Sequence, residues 1–284
     1  MRPKFGVIGF GFLGRALVHG FSLHADIKIY DKYDNIYNSL RETVDKSVFI
    51  FIGVPTPMAE DGSQDLKNVY DAVESVISVA RTRKTIILRS TIIPGTTRKL
   101  ANKYPDHDFV FFPEFLTERS AKLDFINASR IIFGGEYIPC STLRKVFRKR
   151  FPHTPFYLTT WEGAEMAKYM ANSFFAVKIS FLNEMYDVAK HLGVNYDDLR
   201  NMLLADGRVG NSHADVPGHD GDRGYGGKCF PKDVQAFIKW ADKSNLHLDV
   251  CEAAEKVNRR VRNSKNWLDI KGATSENNYE KGEK

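Results

Sequence analysis

Through the first half of the chain, short and mostly apolar runs alternate with amphipathic stretches. The runs are KFGVIG at 4–9, DIKIYD at 26–31, SVFIFIG at 47–53, TIILRS at 85–90, FVFFP at 109–113 and RIIFGG at 130–135. Between them, apolar residues recur at helical spacing over 12–23 and 65–80. Strands that are apolar on both sides need cover on both sides, which helices flanking a parallel sheet provide. Residues 1–158 are therefore expected to form a doubly wound α/β domain with a parallel sheet.

After a last strand at 156–160 the pattern becomes helical, over 161–191, 231–243 and 250–264, with Ala253, Val257 and Val261 at core spacing. An all-α domain is expected over 159–265. Its first helix is long enough to cross between domains or to form a subunit seam. The segment 206–228 between helices is too long for an idle connection. Residues 266–284, ending in the polar and unpatterned GATSENNYEKGEK, are expected to be a disordered tail.

The turn after the first strand is GFGFLG, with Gly9, Gly11 and Gly14 at dinucleotide-binding spacing. In that arrangement the first glycine makes the tight turn and the second lets the backbone approach a pyrophosphate. The third lets helix and strand pack closely, with the helix N-terminus facing the phosphates. Asp31, ending the second strand, stands where a ribose-binding acid is expected, and an acid there favours NAD over NADP. Lys32 beside it softens that preference. The first domain is thus expected to be a Rossmann domain binding NAD.

Ligands of such sheets bind at the carboxyl ends of the strands. Those ends are GVPTP at 53–57, STIIPGTT at 90–97 and FPEFLTER at 112–119. Thr56 and Thr91 offer hydroxyls there, and Glu114 and Glu118 offer carboxylates four residues apart. Each alone is as consistent with a helix cap or a solvated loop. On the long helix, Lys168 and Asn172 share a face with Glu165, and Asn183 follows three turns on. Ala, Met and Phe surround them, so that face is either a partly desolvated site or a solvated stripe. GYGGKCFPKD at 224–233 places Cys229 just ahead of a helix that Pro231 can open, with Lys228 and Lys232 nearby. A helix N-terminus and neighbouring ammonium groups favour thiolate over thiol. Gly224, Gly226 and Gly227 let the backbone close on a ligand.

Composition adds mainly exclusions. The formal net charge is +6, but no basic stripe interleaves with aromatics, so no nucleic-acid partner is expected. No apolar run approaches a membrane span. Three cysteines, Cys140, Cys229 and Cys251, are widely spaced and fit a reducing cytoplasm. His213, Asp215, His219 and Asp220 lack any helix-fixed ligand spacing, so no metal is expected.

Taken in order, GFGFLG, GVPTP, STIIPGTT, PEFLTE, KYMAN with the later NE, and GGKCFPKD resemble the UDP-glucose/GDP-mannose dehydrogenase family, from Gly6 to about Arg260. The resemblance implies an NAD-dependent four-electron oxidation of a nucleotide-sugar C6 alcohol to the uronic acid, with UDP-glucose the expected substrate. It implies that Cys229 forms a thiohemiacetal and then a thioester, that Lys168 and Asn172 stabilise the oxyanion, and that Glu114 is the base for hydrolysis. Asp233 and Thr91 would hold water or the substrate hydroxyl. The cofactor would meet Gly9, Gly11, Phe12, Leu13, Gly14, Asp31, Lys32, Val54, Pro55, Thr56, Thr91, Glu118 and Lys232. Glu114, Phe115, Leu116, Thr117, Lys168, Asn172, Tyr225, Gly226, Gly227 and Cys229 would line the sugar site, with Asn183 near it. A homodimer through the long helices is expected as well. The chain departs from the family's pattern at Phe112, where asparagine is usual, at Arg119, where glycine is usual, and in ending before a third domain.

A two-electron hydroxyacid dehydrogenase of related fold would use Lys168 and Asn172 without needing Cys229. A non-catalytic protein that binds NAD or a nucleotide sugar is the other alternative.

Overall fold

The computed structural model describes residues 2–276. The chain separates into two compact units, one of residues 1–56 and 66–168, the other of residues 57–65 and 169–284. The division falls inside the long helix rather than before it.

The first unit alternates strand and helix: β1 (Lys4–Ile8), α1 (Phe12–Phe21), β2 (Asp26–Tyr30), α2 (Leu40–Asp45), β3 (Phe49–Ile52), α3 (Lys67–Val79), β4 (Thr85–Leu88), α4 (Thr96–Lys103) and β5 (Asp108–Phe111). A 3-10 turn at Glu118–Ser120 leads to α5 (Ala121–Ile126), followed by β6 (Ile131–Gly135), α6 (Tyr137–Arg148), β7 (Phe156–Thr159) and the start of α7 (Trp161–Leu192). The strands form one sheet in the order β2-β1-β3-β4-β5-β6-β7. The first five are parallel. The expectation of a parallel sheet needs one correction: β6 runs antiparallel to β5, pairing Gly135 with Val110 and Gly134 with Phe111, and β7 then follows β6 in parallel. The 112–130 segment never crosses back to the amino edge of the sheet, so β6 must enter from the carboxyl edge.

Alternation along β3 shows how both faces are buried. Phe49 and Phe51 join an aromatic cluster with Phe5, Phe21, Phe133, Phe147 and Phe151, whereas Ile50 and Ile52 join an aliphatic one with Val69, Val73, Ile86 and Leu88. A period of two splits one apolar run between two cores. On the aromatic side Gly20 of α1 leaves room for Phe125 of α5, whose ring a Cβ would meet at 2.4 Å.

In the second unit, α7 continues from Tyr169 and is followed by α8 (Tyr196–Leu204), α9 (Phe230–Lys243) and α10 (Asp249–Val261). Ala176, Tyr225 and Val234 make one small core, and Leu182, Ala189, Tyr196, Ala214 and Val216 another. Residues 266–276, assigned above to a disordered tail, are folded. Trp267 sits in a 3-10 turn and is buried, and Met58 pairs with this segment through Met58 N to Ala273 O and Ser275 N to Met58 O, both 2.9 Å. One aromatic and a backbone bridge leave no periodicity for a pattern to catch. The remainder of that segment, 277–284, lies outside the described residues. Among the described residues no helix is long and apolar enough to cross a membrane.

Candidate active site

The glycine turn is shaped by close approach. Gly9 has φ +87°, and a Cβ there would lie 2.5 Å from the Gly53 carbonyl oxygen. A Cβ on Gly14 would lie 2.4 Å from the Gly9 carbonyl oxygen, so α1 can approach β1 only without a side chain at Gly14. Gly11 has nothing within 4 Å of a Cβ, and as N-cap of α1 it gives no side-chain hydrogen bond. The first N–H groups of α1 are therefore open to an anion, whose charge the helix dipole favours. Phe10 N donates to Asp31 Oδ2 at 2.7 Å and Tyr33 N to Oδ1 at 2.9 Å, which fixes the carboxylate beside the turn. Each oxygen keeps a lone pair for a ribose hydroxyl. The residues present thus fit a dinucleotide. Phe12 is half-buried and Leu13 buried, and Lys32 is exposed with its ammonium over the Tyr33 ring. Arg15 stands in the first turn of α1 over Phe10, a cation the sequence reading passed over.

The strand-end loops are tied to one another. Ser90 Oγ donates to Val54 O at 2.6 Å and accepts from Val54 N at 3.0 Å, and Asn68 Nδ2 donates to Pro55 O. Neither Ser90 nor Asn68 was foreseen; Ser90 was visible only as the neighbour of Thr91. Thr56 is buried and Thr91 half-buried. Glu165, fully buried, accepts from Gly95 N at 2.6 Å and from Thr97 N and Oγ1 at 2.8 and 2.6 Å, holding the start of α4. Burial pushes its carboxyl up to about 7 against these hydrogen bonds. Glu114 Oε2 pairs with Lys168 Nζ at 2.8 Å, both side chains almost fully buried, and Glu114 Oε1 accepts from Leu116 N at 3.0 Å. Phe115 and Leu116 are half-buried and Thr117 is exposed. The side chain of Glu118 lies outside the described residues.

In the second unit Cys229 is the N-cap of α9, with its thiol outside any disulfide and no side-chain capping bond. Asp233, in the first turn, is 1% exposed, and its backbone N donates to Cys229 O at 3.0 Å. Its carboxylate takes the Asn172 amide at 2.6 Å on Oδ2 and the Lys232 ammonium on Oδ1. Asn172 thus meets Asp233, and Lys232 is held as its ion partner.

The loop before Cys229 is pinned from below. Asn258 accepts from Tyr225 N and donates to Tyr225 O, and Tyr225 Oη donates to Glu255 at 2.7 Å. Tyr225 is itself buried. Gly224 has φ +70°, and a Cβ there would strike Asn258 Oδ1 at 2.1 Å. Gly226 lies against the Arg262 guanidinium, and Gly227 N donates to Asn266 Oδ1. Asn183 is spent on Ile179 O, Arg223 Nε and Gly224 N, which makes it an anchor of this loop. Asp215 and Asp220 pair with Arg200 and Arg262, and His213 stacks on Phe175. Among the described residues no group of three or more His, Cys, Asp or Glu could hold a metal ion.

An uncapped helix start behind a strand-ending aspartate, at the carboxyl edge of a mostly parallel sheet, defines a dinucleotide-binding α/β protein. Comparison with known proteins narrows the class. The chain belongs to the UDP-glucose/GDP-mannose dehydrogenase family, matching its NAD binding domain over residues 31–151 and its central domain over residues 162–260. The glycine turn precedes the matched residues, so its assignment rests on its geometry. A UDP-glucose 6-dehydrogenase of Rickettsia conorii is 32% identical over 81% of this chain and 52% of its own length. One of Pseudomonas aeruginosa is 35% identical over 79% of this chain and 51% of its own. The solved UDP-glucose dehydrogenase of Pyrobaculum islandicum superposes with a TM-score of 0.83 at 29% identity, over 92% of this chain and 68% of that one. The chain spans about half the length of the curated relatives it matches.

Proposed function

We propose that this chain oxidises the C6 alcohol of a nucleotide sugar, UDP-glucose, to the carboxylate in two successive two-electron steps, through a covalent intermediate on Cys229. The observation that carries this reading is the cysteine at the N-cap of α9, one turn ahead of a buried carboxylate that Asn172 and Lys232 hold in place. When bound, NAD supplies the hydride acceptor for both oxidations. The chain's own part begins with the cradle of Gly9, Gly11, Gly14 and Asp31, with Val54, Pro55, Thr56 and Thr91 at the neighbouring strand ends. Loss of the first hydride and of the hydroxyl proton turns the C6 alcohol into an aldehyde, to whose carbon the Cys229 thiolate adds, forming a C–S bond and an alkoxide that takes up a proton. Loss of that hydroxyl proton together with the second hydride leaves a thioester. Glu114 takes a proton from water as it attacks that thioester, the C–S bond breaks, and thiolate and acid are released. In this reading Lys168 and Asn172 stabilise the oxyanion in both additions, as the family resemblance implies. Asp233 positions Asn172 and holds water.

Three cysteines outside any disulfide fit a reducing compartment, the cytoplasm. A homodimer is part of the same reading: α7 exposes Met170, Phe174, Phe181, Val188 and Leu192.

The test is NADH yield at limiting UDP-glucose with excess NAD, for the native chain and Cys229→Ser. Two NADH per sugar, falling to one or none in the variant, is expected. One NADH per sugar, unchanged by the substitution, would replace this reading with a two-electron dehydrogenase. Stabilisation by NAD and UDP-glucose with no NADH from either would replace it with a binding protein.

A further inference from the structure

Arg89 follows β4 directly, is 3% exposed, and leaves both Nε and Nη1 buried with no hydrogen-bond partner among the described residues. Its guanidinium carbon lies 4.3 Å from the Phe112 ring centroid and 5.4 Å from that of Phe125. A buried cation is normally matched by a carboxylate at hydrogen-bond distance. The acid that acts on it, Glu114, has its oxygens on Lys168 and Leu116 N. Burial brings the guanidinium down to about 10, so it stays cationic at neutral pH.

Arg89 also lines a cavity of ≈ 260 Å³ within the first unit. Phe125 and Phe151 are apolar walls, buried on the aromatic side of the sheet, and exposed Leu123 and Arg130 stand at the mouth. Asp124, the other lining acid, accepts from Thr117 N and Ser120 Oγ on Oδ2. Neither the glycine turn nor Thr91 or Lys168 lines it; Glu114, Phe115 and Leu116 are shared with the candidate sugar site. The volume is below the roughly 300–1,000 Å³ of sites for larger ligands, which excludes a nucleotide sugar.

We propose that this cavity is a second binding site, for a small organic carboxylate whose apolar body lies against Phe125 and Phe151 and whose carboxylate accepts from Arg89. A guanidinium presents planar donors matched to a carboxylate, and aromatic walls desolvate the contact and accept an apolar body. Such an occupant would sit against the 112–116 loop that carries Glu114, and the assignment does not depend on the reaction read above.

The test is calorimetric titration of the full chain with benzoate, saturated with NAD and free of it, beside benzyl alcohol and inorganic phosphate. Saturable one-to-one binding of benzoate is expected, unaffected by NAD, absent for benzyl alcohol, and at least about tenfold weaker in Arg89→Met, a loss consistent with removing one charge-assisted contact. Equal affinity in a folded Arg89→Met, binding of phosphate in place of benzoate, or no saturable binding of benzoate would overturn the assignment. A second measurement needs no substitution: the Arg89 Nε–H resonance should move with benzoate in the native chain, and a stationary resonance at saturation would also overturn it.

Discussion

Gly11 and Gly14 lie three residues apart in one turn, yet a methyl group at each meets different surroundings. At Gly14 it meets a backbone oxygen at 2.4 Å; at Gly11 it meets nothing within 4 Å. Gly14→Ala is therefore expected to destabilise the fold by about 1–3 kcal/mol, the usual cost of overpacking. Gly11→Ala should cost well under about 1 kcal/mol in folding while weakening NAD binding. Urea unfolding and NAD titration of the two variants separate these outcomes. Asp233→Ala, by removing the partner of buried Lys232, is expected to cost about 3–5 kcal/mol, read in the same unfolding experiment. Spacing revealed the glycines and the GGKCFPKD cysteine, because a turn and a helix start are local events. The burial of Tyr225 was not legible for the opposite reason: it depends on Glu255 and Asn258, some thirty residues along the chain.

At the scale of elements, α7 does more than its length suggested. Its first turns hold the start of α4 through Glu165, whose carboxyl lies near 7 in the folded chain against an ordinary 4.5. Between those values the folded chain keeps a proton that the unfolded chain has lost, so stability should fall as pH rises through this window. Glu165→Gln cannot accept from both backbone donors and is expected to cost about 1–3 kcal/mol, while flattening that pH dependence. Melting temperature measured from pH 4.5 to 7.5 in both proteins is the check; an unchanged slope would remove Glu165 as its source. Asp222 is the opposite case. Burial alone would raise it, but backbone N–H groups of Ser264, Arg223 and Asn263 bring it down to about 2, so its contribution is present above the ordinary 3.8 and lost as pH falls below it. Long apolar strands and long helices were legible as elements. The helices α2, α4, α5, α6 and α8 were not; in all but the twelve-residue α6, six to nine residues show too little periodicity. The reversal of β6 was hidden as well, because an apolar strand looks the same in either direction.

For the molecule as a whole, the exposed stripe on α7 bears on assembly. Met170 and Phe174 are each 63% exposed and Phe181 52%, a row of large apolar side chains along one helix. If the row is a subunit seam, light scattering should give twice the chain's 32.3 kDa, and Phe174→Asp with Phe181→Asp should return the single mass. A single mass for the native chain would remove the dimer from the proposal. The alternation of apolar runs, the glycine spacing and the cysteine beside a proline-opened helix were enough by themselves to determine a dinucleotide-binding sheet followed by helices, because each is a short-range pattern set by backbone geometry; the family was legible only as a resemblance of the ordered motifs. Only the tertiary structure decided that Glu114 pairs with Lys168, that Asp233 is shared by Asn172 and Lys232, that Met58 and Thr274 meet, and that two buried nitrogens of Arg89 find no hydrogen-bond partner among the described residues. Those outcomes depend on which distant side chains compete for the same donors and acceptors out of water, and spacing along a chain carries no record of that competition.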